Sequence, residues 1–252
     1  MVNGPRSSVD LTEGALLLSA HARPDLDLEQ QSGRVDAIAS RCAAPTLDGL
    51  RDALFVEMGF TGDADDYYDP ENSLLDSVLD RRRGLPITLS VLLMEVGRRL
   101  GLHLDGVAMP GHFLVRDQSE PSVFVDAFSQ GRLLGPTECE DIFGLVTGAP
   151  EQFDSGFLEP VAAPAILSRM AANLVNAYSR TEDRRGIRWA CVVRAGCPDV
   201  GVGEMAQLGA NLASSGALDR AAEVYERAAG MSDSDAAVEL GRKAMRMRAQ
   251  LN

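Results

Sequence analysis

Arg83-Gly-Leu-Pro-Ile-Thr-Leu-Ser90, then Val91-Leu-Leu-Met-Glu-Val-Gly-Arg-Arg-Leu-Gly101, Pro110-Gly-His-Phe-Leu-Val115 and Val123-Phe-Val-Asp126, together form the stretch whose reading decides the fold. Its first half predicts a helix from Pro86 to Leu100. Proline suits the first helical turn, where its missing amide is not needed. Ile87, Leu89, Val91, Leu92, Leu93 and Val96 make that helix apolar nearly all round, so it belongs in the centre of a domain. Arg98 and Arg99 fall in the last turn, where cations suit the carbonyl end, and Gly101 closes it.

Past Gly101 the period changes to that of strands. Leu102 to Met109, His112 to Arg116, Ser122 to Asp126 and Arg132 to Leu134 are short runs separated by turn residues, which predicts a small antiparallel meander. A hairpin centred near Ser119 would set His112 opposite Asp126, Leu114 opposite Phe124 and Arg116 opposite Ser122. Directly opposed residues share a face, so an imidazole would meet a carboxylate there.

Working outward, Arg81-Arg-Arg-Gly-Leu-Pro86 is a hinge in which Gly84 is expected to end one helix before Pro86 begins the next. The preceding helix is expected over Ser73 to Arg82 with Asn72 as its N-cap. Gly59 to Pro70 is irregular, and Leu11 to Arg81 otherwise repeats apolar residues at helical spacing, as in Leu16 to Leu18 and Leu50, Leu54, Phe55 and Met58. On the other side Pro160 to Pro164 is expected to be a linker. Helices follow at about Ala163 onward, Ile187 to Val193, Met205 to Ser214, Leu218 to Ala229 and Ala236 to Leu251. The fold class is therefore α+β in residues 1–160, with an all-α region over residues 161–252.

Composition narrows the function. At 252 residues and 45% hydrophobic the chain can bury one large core or two modest ones. A formal net charge of -13 argues against nucleic acid or an anionic membrane as partner. Met1 to Asp10 lacks the apolar core of a secretory signal, and Leu85 to Val96 is too short and too interrupted to span a bilayer. Cys42, Cys139, Cys191 and Cys197 form no CxxC pair and have no histidine at ligand spacing, so neither metal nor redox pair is expected. Free buried thiols in a reducing cytoplasm are the reading.

In a thiol acyltransferase or protease, a cysteine stands at the positive end of a buried helix. A histidine from the adjoining sheet takes its proton, and a carboxylate orients the imidazole. Helix, histidine and carboxylate occur here in that order, in a papain-like or transglutaminase-like layout. Leu54 to Leu134 resembles the transglutaminase-like domain of the bacterial SirB family. The matching residues are Tyr67-Tyr68, Asn72, Leu79, Gly84 to Ser90, Leu100-Gly101, Pro110-Gly-His-Phe113 and Val125-Asp126, with Arg169 to Asn173 beyond them. The segment Leu208 to Ala228, with its Gly216 turn and Tyr225, resembles a tetratricopeptide repeat, the tail that accompanies that domain. The resemblance implies the family's histidine and aspartate at His112 and Asp126. It also puts the nucleophile position at or beside Pro86, where no thiol stands.

Two functional classes follow. One is a catalytically silent core serving as a binding or regulatory scaffold, holding a protein or peptide on the repeats or a small molecule in a cleft near His112. The other is a cysteine-independent hydrolase or lyase with His112 as base, Asp126 as its orienter and Thr88 or Ser90 as nucleophile or substrate ligand. Asn72, Pro86 and Arg83 would line the binding site in either case, and no cofactor or metal is implied. The plainer readings are a core histidine satisfied by Asp126, Thr88 and Ser90 bonded to the preceding turn's carbonyls, and Asn72 as a simple cap. Asp63, Asp65, Asp66 and Asp69 lack the glycine and closing glutamate of a calcium loop and read as a solvated acidic segment. Arg81 to Arg83 read as a helix end with solvated charges, able to take a carboxylate.

Overall fold

The computed structural model describes residues 10–232 and 235–251. All but the last residue of the Met1 to Asp10 reading therefore lies outside the described residues. By compactness the chain divides after Met170 into two units.

The first unit opens with α1 (Leu11–Ala22), α2 (Leu28–Arg41) and α3 (Leu47–Arg51), each started by a side chain that accepts a first-turn amide: Asp10, Asp27 and Thr46. After α3 the backbone widens, Met58 N donating to Ala53 O over five residues at 3.0 Å. A short strand β1 (Thr61–Gly62) follows, then α4 (Leu75–Arg81), β2 (Arg83–Gly84) and α5 (Pro86–Arg99). β1 and β2 pair in parallel, Gly62 against Gly84. The expected helix start at Ser73 is shifted: Pro70–Ser73 is a tight turn and α4 begins at Leu75. Asn72 is therefore not its cap. Nor does Gly84 end α4, because Arg82 takes the left-handed conformation (φ 59°) that closes it.

α5 is buried from Pro86 to Gly97, as its all-round apolar sequence predicts. It packs on α1 to α4 and on the sheet. Val91, Leu93 and Val96 are wholly out of water, and truncating any one to alanine costs roughly 2–5 kcal/mol for the larger side chains. Gly101 (φ 79°) ends the helix, with Leu102 N donating to Gly97 O at 2.9 Å.

The sheet contains β3 (Leu104–Val107), β4 (Leu114–Asp117), β5 (Phe124–Asp126), β6 (Arg132–Leu134) and β7 (Pro160–Val161) in the order β6-β5-β4-β3-β7. The four-stranded meander is as expected, but Pro160 and Val161, expected in a linker, form its edge strand. The hairpin register is corrected as well. Val115 opposes Val125 and Arg116 opposes Phe124, so Asp126 faces Leu114 and His112 lies two residues beyond that pair. The tighter hairpin expected from spacing ignored the extra turn Gln118–Ser122. α6 (Pro136–Thr147), which the sequence reading did not pick out, covers one face of the sheet. There Cys139 and Phe143 join Val107, Met109, Leu114, Phe124, Leu134 and Leu158 in one cluster. α7 (Ala163–Arg180) follows.

The second unit is helical: the end of α7, then α8 (Arg184–Ala195), α9 (Val202–Ser214), α10 (Leu218–Gly230) and α11 (Asp235–Ala249). Glycines let aromatic rings in: a Cβ at Gly186 would stand 2.1 Å from Tyr178, and one at Gly209 2.7 Å from Tyr225. Buried Arg194 joins Asp199 and Glu204 at 3.0 and 2.6 Å, tying α8 to the start of α9.

Candidate functional site

Met109-Pro-Gly-His112 makes a tight turn, His112 N donating to Met109 O at 3.1 Å with Gly111 at φ 76°. Proline then glycine at the two central positions is the pattern of a type II turn. It lifts the imidazole off the end of β4. Arg169 fixes the turn from behind, donating to the carbonyls of Met109 and His112 at 3.1 and 2.8 Å, with its guanidinium 5.6 Å from the centre of the Phe113 ring.

Asp126 is the last residue of β5, and it organises the loop that follows. Its Oδ1 accepts from the amides of Phe128 and Ser129 at 3.0 and 3.2 Å, and its Oδ2 from the Ser129 hydroxyl at 2.7 Å. His112 Nε2 lies 3.0 Å from the same Oδ1. Burial alone would push the Asp126 carboxyl up, but the bonds from His112 and Ser129 outweigh it and hold the group below the usual carboxylate range. The pair is nearly out of water, His112 at 8% and Asp126 at 2% exposure.

Strand alternation sets which way the pair faces. Leu104 packs on Gly97 of α5, so Leu104, Val115 and Val125 mark the α5 face of the sheet. Asp126 falls on the other face, with Leu114, Phe124 and Leu134. The link to the head of α5 runs round the end of the sheet. The His112 ring meets Phe128 edge-on at 6.3 Å. Phe128 lies over Gly62, where a Cβ would stand 2.4 Å from the ring, and Gly62 pairs with Gly84, two residues before Pro86. Tyr67 packs against Phe128 at 5.9 Å. Burial pushes its hydroxyl up, and the Arg169 guanidinium counters part of that.

The other expected site residues are scattered in role. Thr88 and Ser90 are fully buried in α5, and their hydroxyls have no hydrogen-bond partner; the expected bonds to the preceding carbonyls are not made. Asn72 is fully buried. Its Nδ2 donates to Asp66 O at 2.8 Å and its carbonyl accepts from Leu85 N at 3.0 Å, so it latches the acidic loop to the start of α5. Arg83 reaches Asp63 and Asp65 at 3.6 Å, and Arg81 binds Asp69 at 2.7 Å. Asp65 and Asp66 are exposed, as expected of a solvated acidic segment, but Asp63 is buried and cations pin the loop there. Among the described residues no three His, Cys, Asp or Glu side chains converge as metal ligands. No described helix is long and apolar enough to cross a membrane.

The sequence reading missed Ser129, Phe128 and Cys139 as neighbours of the pair. A serine three positions after an aspartate at a strand end is the signal that could have found the first. Cys139 is fully buried, and burial above all, with Glu138 and Asp126 adding, pushes its thiol up to about 12. It is no thiolate. All four cysteines are free, but only Cys139 and Cys191 are buried; Cys42 and Cys197 are half-exposed.

A buried helix headed by Pro86, a meander and a His–Asp pair at its end define the transglutaminase-like class. Residues 17–172 match the transglutaminase-like superfamily, and the chain belongs to it. The kinship narrows to UPF0162 proteins. Identity with one from Xylella fastidiosa is 36% over 205 residues, 76% of this chain and 70% of the relative. With one from Pseudomonas aeruginosa it is 33% over 162 residues, 64% and 58% of the two chains. Human F-box only protein 21 is 32% identical over 143 residues, 53% of this chain but 22% of that protein. No solved structure matches the chain.

Proposed function

We propose that this is a transglutaminase-like protein of SirB type without thiol chemistry, acting in the cytoplasm as a scaffold for a protein or peptide partner. One observation carries the reading: Pro86 heads the buried helix, and no cysteine lies between Cys42 and Cys139. Proline supplies neither nucleophile nor proton. The one thiol that feels Asp126 is buried and protonated. Partner binding is assigned to the helical unit, read as tetratricopeptide-like pairs. Gly209 beneath Tyr225 and the Gly216 turn (φ 86°) between α9 and α10 support that reading. A polar cavity of about 280 Å³ there is lined by Ser179, Glu182, Arg184 and Asn211 among others.

A cysteine-independent hydrolase or lyase has one observation in its favour, the hydrogen bond between His112 and Asp126. Burial of Thr88 and Ser90 weighs against it, because a nucleophile must reach substrate. The test is made on the full chain. A glutamine-donor peptide with a labelled amine should give no incorporation, and peptide and ester substrates no turnover above that of His112→Ala. Partner capture should fall with Arg184→Glu and Asn211→Ala and persist with His112→Ala. Turnover that disappears with His112→Ala would replace the scaffold by the enzyme.

A further inference from the structure

The run Arg81-Arg-Arg83 is split by the fold. Arg81 and Arg83 turn to the acidic loop. Arg82 turns instead into a cavity of about 220 Å³, which it rims with Arg34 and Arg41 of α2. The floor is apolar: Ile38, Met58, Phe60 and Leu79, the last three buried. Arg34 is held by Asp80 at 2.7 Å. Among the described residues the guanidinium groups of Arg41 and Arg82 have no hydrogen-bonded or ionic partner.

Two backbone irregularities build this place. The widened turn after α3 presents Met58 and Phe60, whose amides bond back to Ala53 and Leu54. Wide turns of this kind recur at functional sites. On the rim, Arg82 keeps φ 59° at a helix end where glycine would be unstrained. Three guanidinium groups gathered with one matching carboxylate, that of Asp80, are against the trend of a chain with net charge -13. Arginine stems do cover apolar surface, but that role leaves neither an open cavity nor two unanswered charges.

We propose that this cavity binds a carboxylate carried on a short apolar body, such as a medium-chain or aryl acid or the free C-terminus of a peptide ending in a large apolar residue. The guanidinium forks of Arg41 and Arg82 match a carboxylate's two oxygens. The apolar body lies on Met58, Phe60 and Leu79, and the volume limits it to about a phenyl ring or a six-carbon chain.

The test is ligand-observed NMR and calorimetry on the full chain with hexanoate, phenylacetate, hexanamide, and a tetrapeptide ending in leucine as free acid or amide. The acids bind, the amides do not, and added salt weakens binding. Hexanoate binding names free acids as a source, and binding of the peptide acid alone names chain ends. Arg82→Gly is the decisive variant, because glycine suits φ 59° and the fold should be at least as stable by urea unfolding. It should nonetheless bind at least about tenfold more weakly. Arg41→Ala behaves alike, and Arg41→Lys keeps part of the affinity. Unchanged affinity in Arg82→Gly, equal binding of acid and amide, or no binding of any acid at about 10 mM overturns the proposal.

Discussion

His112 Nε2 and Asp126 Oδ1 meet at 3.0 Å although the strand register sets the two residues diagonally rather than opposite. The turn at Pro110-Gly111 closes the gap, and the two partners are unequal in what they hold. Asp126 also anchors two amides and a hydroxyl of the next loop, whereas the His112 ring has Asp126 as its one polar partner among the described contacts. Removing an acceptor that serves several donors costs more than removing one donor. Asp126→Ala should therefore lower stability by roughly 3 kcal/mol and His112→Ala by about half that. Urea unfolding of both variants checks the order. Equal losses would mean that the loop does not depend on Asp126.

The same pair fixes a pH dependence. Burial raises the Asp126 carboxyl, but the bonds from His112 and Ser129 bring it below its ordinary value. A depressed carboxylate contributes stability above the unfolded value of about 3.9 and loses it as pH falls through the folded value. The stability gap between the wild type and Asp126→Asn should shrink as pH falls below about 4. A gap that stays constant down to pH 3 would remove the shift from the account.

Gly62 is where the head of α5 and the His112 turn come together. A methyl there would stand 2.4 Å from the Phe128 ring, so Gly62→Ala must move a ring that packs on both His112 and Tyr67. The expected cost is about 1–3 kcal/mol, as for other overpacked sites. Adding Phe128→Leu should recover part of it, because the ring is what the methyl meets. A double variant whose losses simply add would show that the two residues do not communicate.

Much of this architecture was legible because it rests on local signals. Pro86 and Gly101 bracket α5, and Ile87 to Val96 leave it no solvent face. The meander followed from Pro110-Gly111 and Ser129 to Gly131. What was not legible depends on distant partners. α4 stops at Arg82 and not at Gly84, because Gly84 is needed in β2, where a Cβ would stand 2.8 Å from Val78. Asn72 became a latch and not a cap because Asp66 and Leu85 reach it. Pro160-Val161 became a strand because β3 offered an open edge. The pairing of His112 with Asp126 was foreseen from spacing under the wrong register, and it survives because long side chains can span a diagonal.

The absent nucleophile gives the last prediction. Pro86→Cys puts a thiol at the first position of α5, where the helix end favours a thiolate by at most about 2 kcal/mol. Pro86 is buried, however, and burial is the largest of the causes, with Glu138 and Asp126 behind it, that push the Cys139 thiol up to about 12. A rise of that size is on the order of 4 kcal/mol, so burial wins. The introduced thiol should resist alkylation at pH 8, as should the buried Cys139 and Cys191, the half-exposed Cys197 reacting first in the native protein and the buried ones only in urea. It should also incorporate no amine, because a buried, protonated thiol is no nucleophile. Peptide mapping after timed alkylation, with the amine-incorporation assay beside it, decides the matter. Fast labelling at position 86 together with incorporation that requires His112 would mean that the core needs one residue to become an enzyme, and that its silence is a matter of Pro86 alone.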